Sequence, residues 1–241
     1  MHEKTRHGVS TLTRMLQFVA VVAMLLGTGF TETAIGTAAA DGPCPDVQVI
    51  FARGTLEPPG PGEVGQEFSD ALIGRMGGRS VNVYGVNYPA SLSFGQAADG
   101  VADAANKVTD TVNTCPGTKI VLGGYSQGAA IAGYITSANV PPGYALPAGI
   151  SGPLPPNVAS HVAAVTLFGK PSAGFLNLVD HDAPPIAIGP LYAGKTLELC
   201  TPQDPVCSSG EGFSRAAHSA YKTNGMTDQA ADYAANRIRG R

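Results

Sequence analysis

Apolar positions along the chain follow two alternating patterns. Short β-branched and apolar runs recur at 47–52 (VQVIFA), 81–86 (VNVYGV), 120–122 (IVL), 162–168 (VAAVTLF) and 195–199 (KTLEL). Each is bounded by turn-forming residues and predicts a buried strand. Between the runs the apolar spacing turns helical. Val64, Phe68, Leu72 and Ile73 predict a helix over 64–76, and Val101, Val108 and Val112 mark the buried face of one over 96–113. The small-residue run from Ala129 to Gly133 predicts a third helix, and 227–239 a closing one. Strands alternating with helices place the chain in the α/β class, with a five-stranded, mostly parallel sheet covered on both faces.

Two connections are irregular. Residues 138–160 contain six prolines and follow the third predicted helix. A right-handed crossover carries that helix back down the sheet, so this segment is expected at the bottom, away from the chemistry. Residues 169–194 leave the top of the fourth strand with Phe175, Leu176, Leu178 and Ile186. They either line a crevice or pack over the sheet edge.

The first 40 residues read differently. Lys4, Arg6 and Arg14 precede the apolar run MLQFVAVVAMLLG at 15–27, and Ala38-Ala39-Ala40 stands before Asp41. A basic leader, an apolar run too short to span a bilayer and a small-residue site predict a secretory signal peptide, leaving 41–241 as one domain. An uncleaved anchor is the alternative. Residues 41–241 contain 12 Lys and Arg against 16 Asp and Glu. No basic stripe or basic-aromatic interleaving suggests nucleic acid, and no second hydrophobic span is present. An exported protein, at most associated with a surface, is expected.

Four cysteines fit an oxidising compartment. Cys44 and Cys115 precede strands, whereas Cys200 and Cys207 follow one. A five-residue strand spans roughly 16 Å, too far for a bridge between opposite ends of the sheet. Cys44–Cys115 and Cys200–Cys207 are therefore the expected pairs.

The chemistry centres on residues 119–133, KIVLGGYSQGAAIAG. A strand, a sharp turn and a helix with serine at the turn is the layout that raises a nucleophile above an α/β sheet. Gly124 and Gly128 flank Ser126 where a Cβ would clash. With 31 Gly and 14 Ser the bare pattern is expected about 0.2 times by chance, so its context has to decide. A serine needs a base. Of His161, His181 and His218, only His218 lies after the fifth strand and before the last helix. Asp204, just beyond that strand, is the expected acid, with Asp180 and Asp182 as rivals. The backbone N–H of Gln127 and the N–H or hydroxyl of Thr55 are the expected oxyanion donors.

These pieces resemble the cutinases. FARGT after the first strand, GYSQG, the C-x3-D-x2-C ring and the late histidine occur in order over 44–239. Residues 50–55 and 86–91 are most similar to the secreted mycobacterial cutinase-like carboxylesterases. The resemblance implies a minimal α/β-hydrolase, a three-layer α/β/α sandwich without a true lid, acting on esters of short- to medium-chain fatty acids. It implies Ser126 as nucleophile, Asp204 as acid, His218 as base, and Thr55 with Gln127 as oxyanion hole. Fungal members typically carry serine where Thr55 stands. Lipase, phospholipase, thioesterase, acyl-transfer and true cutin-hydrolase activities use the same triad and stay open. No metal, cofactor or nucleic acid is expected; a monomer in transient contact with a lipid surface is.

Two readings from other classes compete. Gly60-Pro61-Gly62-Glu63-Val64-Gly65 satisfies the GxGxxG pattern of dinucleotide-binding oxidoreductases. Its first glycine, however, sits eight residues beyond Ala52 rather than in the turn after the strand, and the second strand ends without a ribose-binding acid. A secreted binding module with a degenerate site is the other, and the filled triad positions weigh against it.

Overall fold

The computed structural model describes residues 44–140, 145–146, 148–208 and 213–240. The expected signal peptide at 1–40 lies outside the described residues, as do parts of the 138–160 segment and of the loop before His218. Five strands form one sheet: β1 (Val47–Ala52), β2 (Val81–Gly85), β3 (Lys119–Tyr125), β4 (Val162–Phe168) and β5 (Thr196–Leu199). All pairings are parallel and the spatial order is β2-β1-β3-β4-β5. The connections are helical: α1 (Gly62–Arg75), α2 (Ala97–Thr114), α3 (Gln127–Ile135), α4 (Pro156–Ala159), α5 (Ala173–Val179), α6 (Pro190–Ala193), α7 (Arg215–His218) and α8 (Met226–Ile238).

The strand sequences explain the three layers. All six residues of β1 are buried, because alternate side chains serve two different cores. Ile50 and Ala52 join Val101, Ala104, Val108 and Ile131 beneath α2 and α3. Val47, Val49 and Phe51 join Phe68, Leu72, Ala231 and Ala234 beneath α1 and α8. Phe51, Phe68 and Phe168 form an aromatic triangle with centroids about 6 Å apart. Truncating any of the three to alanine is expected to cost about 3–5 kcal/mol.

The strand order places the chemistry. From β1 the chain first steps to β2 on one side, then crosses back to β3 on the other. Ligands of open α/β sheets bind at the carboxyl ends of the strands on either side of such a reversal. Thr55 follows β1 and Ser126 follows β3, so both sit at that point.

The bridges Cys44–Cys115 and Cys200–Cys207 are both present, with Cα separations of 5.5 and 5.9 Å. One expectation needs correction. The Pro-rich segment does not stay at the bottom of the sheet: Val140, Leu146, Ile150 and Leu154 line the same cavity as Ser126 and His218. Its described residues lie beside α2, where Ile150 and Leu154 pack against the core and a Cβ on Gly149 would lie 3.4 Å from that of Ala102. The 169–194 segment lines that cavity as well, through Pro171, Phe175 and Leu176.

Two of the three glycines of the GxGxxG stretch have packing roles. A Cβ on Gly62 would lie 2.4 Å from Glu57 Oε2, and one on Gly65 would lie 2.5 Å from the Phe51 ring. Glu57 Oε1 accepts the Glu63 N–H at 2.8 Å. A carboxylate of the chain itself thus sits at the helix N-terminus where a pyrophosphate would have to bind.

Candidate active site

The turn at Ser126 is tight because of what surrounds it. Ser126 adopts φ 55°, ψ −117°, a conformation that costs a non-glycine residue about 1–3 kcal/mol. Its N–H donates to the Phe168 carbonyl at 2.9 Å, tying the turn to the end of β4. A Cβ on Gly124 would lie 2.1 Å from the Gly128 carbonyl oxygen, and one on Gly128 would lie 1.9 Å from that of Ala52. The second glycine therefore serves the close approach of α3 to β1 as much as the turn itself.

Held in this way, Ser126 Oγ lies 2.9 Å from His218 Nε2. His218 Nδ1 lies 2.9 Å from both carboxylate oxygens of Asp204. Asp204 is fully buried and also accepts the Val206 N–H at 2.8 Å and the Tyr221 hydroxyl. Burial alone would push its carboxyl up. The hydrogen bonds from His218, Tyr221 and Val206 outweigh that and hold it below the usual carboxylate range. The acid is thus ionised at neutral pH although it is out of contact with water. Asp180 and Asp182, the rival acids, line the cavity but make no bond to His218; Asp182 pairs with the exposed His181 at 3.2 Å. His161 sits at the lower end of β4, its N–H bonded to Val158.

Several residues of the site carried no signal in the sequence. Tyr221 lies three residues beyond His218, in the turn that follows α7; it is fully buried, and its hydroxyl oxygen also accepts the Thr201 N–H at 3.1 Å. Burial, reinforced by the Asp204 charge, raises the Tyr221 phenol, so it remains a donor. Tyr125 stacks on the His218 ring at 5.0 Å and 29°, and its hydroxyl donates to the His218 carbonyl at 2.6 Å. The histidine is therefore held by ring face and backbone as well as by Asp204. Gly169, at φ 59° after β4, leaves room for this arrangement: a Cβ there would lie 3.1 Å from both Asp204 Oδ2 and the Tyr221 hydroxyl.

The loop after β1 is organised by buried Arg53. Its guanidinium donates to the carbonyls of Glu57, Val86 and Tyr88 at 2.8, 3.1 and 2.6 Å, and the Tyr88 hydroxyl donates back to the Arg53 carbonyl. Gly54 N–H donates to Glu57 Oε2 at 2.5 Å. These bonds fix the chain on both sides of Thr55. The N–H groups of Thr55 and Gln127 have no backbone acceptor among the described residues, and both residues line the cavity beside Ser126. Backbone N–H groups without a backbone acceptor, on residues that line the cavity with the nucleophile, are available to a developing oxyanion. The Gln127 side chain donates to the Ser91 carbonyl at 3.2 Å and leaves its buried Oε1 unpaired.

A hydroxyl poised on an imidazole that is held by a buried carboxylate, beside an apolar cavity of about 750 Å³, is equipped for acyl transfer. Comparison with known proteins agrees. The family model described as Cutinase matches residues 43–238. Carboxylesterase Culp1 of Mycobacterium tuberculosis is 44% identical over 225 residues, which cover 93% of this chain and 96% of that protein. Phospholipase Culp4 of the same organism is 41% identical, covering 93% of this chain and 92% of its own. Among solved structures, a Trichoderma reesei cutinase in complex with a phosphonate inhibitor superposes with a TM-score of 0.60 at 32% identity, covering 81% of this chain and 78% of that one. The chain belongs to the cutinase family and is an ester hydrolase of the serine type.

Proposed function

We propose that the protein is an exported carboxylesterase that cleaves fatty-acyl esters through Ser126, His218 and Asp204. The observation that carries this reading is the unbroken relay of 2.9 Å contacts from Ser126 Oγ through His218 to buried Asp204. His218 Nε2 takes the Ser126 proton as Oγ attacks the ester carbonyl. The N–H groups of Thr55 and Gln127 hold the oxyanion, and His218 returns the proton to the departing alcohol. Water, deprotonated by His218, then releases the acid from the acyl-enzyme and regenerates Ser126. Asp204 fixes the Nδ1–H tautomer and stabilises the imidazolium throughout.

The chain acts as a single domain over 41–241, as a monomer meeting its ester or lipid substrate at a surface. Export rests on the amino-terminal leader sequence and on the two disulfides, which form in oxidising compartments. No helix among the described residues is long and apolar enough to cross a membrane. A phospholipase reading is favoured by one observation, the identity of the 41%-identical relative Culp4 as a phospholipase. Both readings are tested on one panel: a p-nitrophenyl butyrate, a diacyl phosphatidylcholine, an acyl-thioester and a polyester. Butyrate hydrolysis is expected; turnover no higher than that of Ser126→Ala refutes the esterase reading.

A further inference from the structure

The short helix that carries the catalytic histidine brings a cation to the cavity with it. In α7, Arg215 stands three residues before His218, so the two side chains share one helical face, with Cβ atoms about 5–6 Å apart. Both residues line the cavity. The turn is pinned at its start. The Ser214 hydroxyl accepts the Ala217 N–H at 3.4 Å, and the Ser214 N–H donates to the Gln203 carbonyl at 2.9 Å, inside the disulfide ring that holds Asp204. The backbone of Arg215 is therefore placed by the same ring that places the catalytic acid.

The charge of Arg215 is not taken up by the protein. Three other cations at the carboxyl edge of the sheet are engaged: Arg53 with three carbonyls, Lys170 with Glu198 at 3.0 Å, and Lys222 with Glu63. Arg215 is exposed, and no hydrogen bond or ion pair reaches its guanidinium among the described residues. It is also the one Lys or Arg among the described residues that line the cavity. Two carboxylates, Asp180 and Asp182, line the same cavity from the segment after α5. The Ser172 N–H, before α5, donates to the Val206 carbonyl at 2.8 Å, and α5 then leads about 10 Å away from the ring to Asp180. The lining thus carries charge of both signs on separate walls.

A neutral ester would leave all three groups without a partner from the substrate. A guanidinium pairs with phosphate through two parallel N–H donors. In a diacyl glycerophospholipid five bonds separate the sn-2 carbonyl carbon from phosphorus, about 6 Å at about 1.25 Å per bond. That span matches the step from His218, which serves a carbonyl at Ser126, to Arg215. In a phosphocholine headgroup four more bonds, about 5 Å, lead from phosphorus to the ammonium nitrogen, a partner for carboxylates on the far wall.

We infer that Arg215 is a specificity-determining residue: it binds the phosphate of a zwitterionic glycerophospholipid whose sn-2 carbonyl sits at Ser126, with the headgroup ammonium toward Asp180 and Asp182. This inference rests on the esterase reading above and names the class of ester for which this chain's cavity is charged. The bond broken is the sn-2 ester C–O bond. The acyl group passes to Ser126 Oγ, the lysophospholipid leaves as the alcohol with the proton from His218, and water then releases the fatty acid. The phosphodiester stays intact.

The test compares dihexanoyl phosphatidylcholine, dihexanoyl phosphatidylglycerol and dihexanoylglycerol, each below its micelle concentration. Every enzyme is read as the ratio of its kcat/KM on the phosphatidylcholine to that on the neutral diacylglycerol, so that a loss of folded protein cancels. Wild type is expected to favour the phosphatidylcholine over both other substrates. Arg215→Ala should lower the ratio about tenfold, as expected for one hydrogen-bonded charge at an exposed site. Arg215→Lys, which keeps the charge and loses the fork, should recover part of it. Raising salt to about 0.5 M should narrow the wild-type preference and leave that of Arg215→Ala unchanged. A ratio that Arg215→Ala does not alter, or wild type cleaving the phosphatidylglycerol as fast as the phosphatidylcholine, overturns the assignment. If none of the esters is cleaved, the esterase reading fails and binding judges the site. Calorimetric binding of dihexanoyl phosphatidylcholine that Arg215→Ala weakens supports it; equal binding, or none to wild type, refutes it.

Discussion

Replacing Tyr221 with phenylalanine isolates how the acid of the relay is held. The ring fills the core between Phe168 and Tyr125, with centroids at 6.1 and 5.7 Å, and phenylalanine keeps that packing. What is lost is one oxygen, which donates to buried Asp204 and accepts the Thr201 N–H. A hydrogen bond to a charged group contributes about 1.5–3 kcal/mol. For a domain of this size that corresponds to a fall in melting temperature of about 3–12 °C. The pH dependence carries a sign. Asp204 is held below its ordinary value, so its stabilisation is fully present above the unfolded carboxylate range and lost as pH falls through the lowered folded value. Removing a donor lets that value rise, so the gap between wild type and variant should be full at pH 7 and narrow below about pH 4. Activity should fall about tenfold in kcat with KM little changed, because Asp204 loses a restraint and remains bonded to His218 and Val206. Thermal unfolding across pH 3–8 and p-nitrophenyl butyrate kinetics measure both effects. A variant with wild-type kcat, or a gap in melting temperature that does not change with pH, refutes this account of Tyr221.

Three further outcomes are expected. Gly128→Ala places a Cβ 1.9 Å from the Ala52 carbonyl oxygen, backbone against backbone, and should lower stability by about 3 kcal/mol or more, or prevent folding; a melting temperature equal to wild type contradicts the packing assigned to α3. Arg53→Lys cannot reach three carbonyls from one ammonium, so kcat should fall with KM largely preserved as the loop bearing Thr55 loosens. An unchanged kcat would show that the loop holds without Arg53. Loss of the Cys200–Cys207 ring, as a double serine variant, should cost about 2 kcal/mol less stability than loss of Cys44–Cys115, since it closes a separation of 7 rather than 71 residues. It should nevertheless impair turnover more, because Asp204 lies inside it; a fully active ring variant would contradict that role.

The parts of this structure legible in the sequence are those whose physics is local or periodic. The five strands were readable because parallel strands buried on both faces appear as continuous apolar runs, and β4 runs over the same residues as its predicted strand. Ser126 was readable because its turn needs two glycines in fixed positions, and Asp204 and His218 because chain order constrains them. The residues that hold those groups were not readable. Tyr221 touches Asp204 across 17 residues and Arg53 reaches Tyr88 across 35; neither contact leaves a spacing to recognise. Helices α4 to α7 have four to seven residues, too few to show a helical period. The position of the Pro-rich segment is not legible in the sequence, because right-handedness governs where α3 ends, not where a chain of some twenty further residues travels.

The central claim is that one serine carries the chemistry. A fluorescent alkyl phosphonate, followed by digestion and mass spectrometry, tests it most directly. One adduct per chain is expected, on the peptide containing Ser126, absent in Ser126→Ala and formed orders of magnitude more slowly in His218→Ala. An adduct on another residue, or ester hydrolysis that survives Ser126→Ala at the wild-type rate, would contradict it.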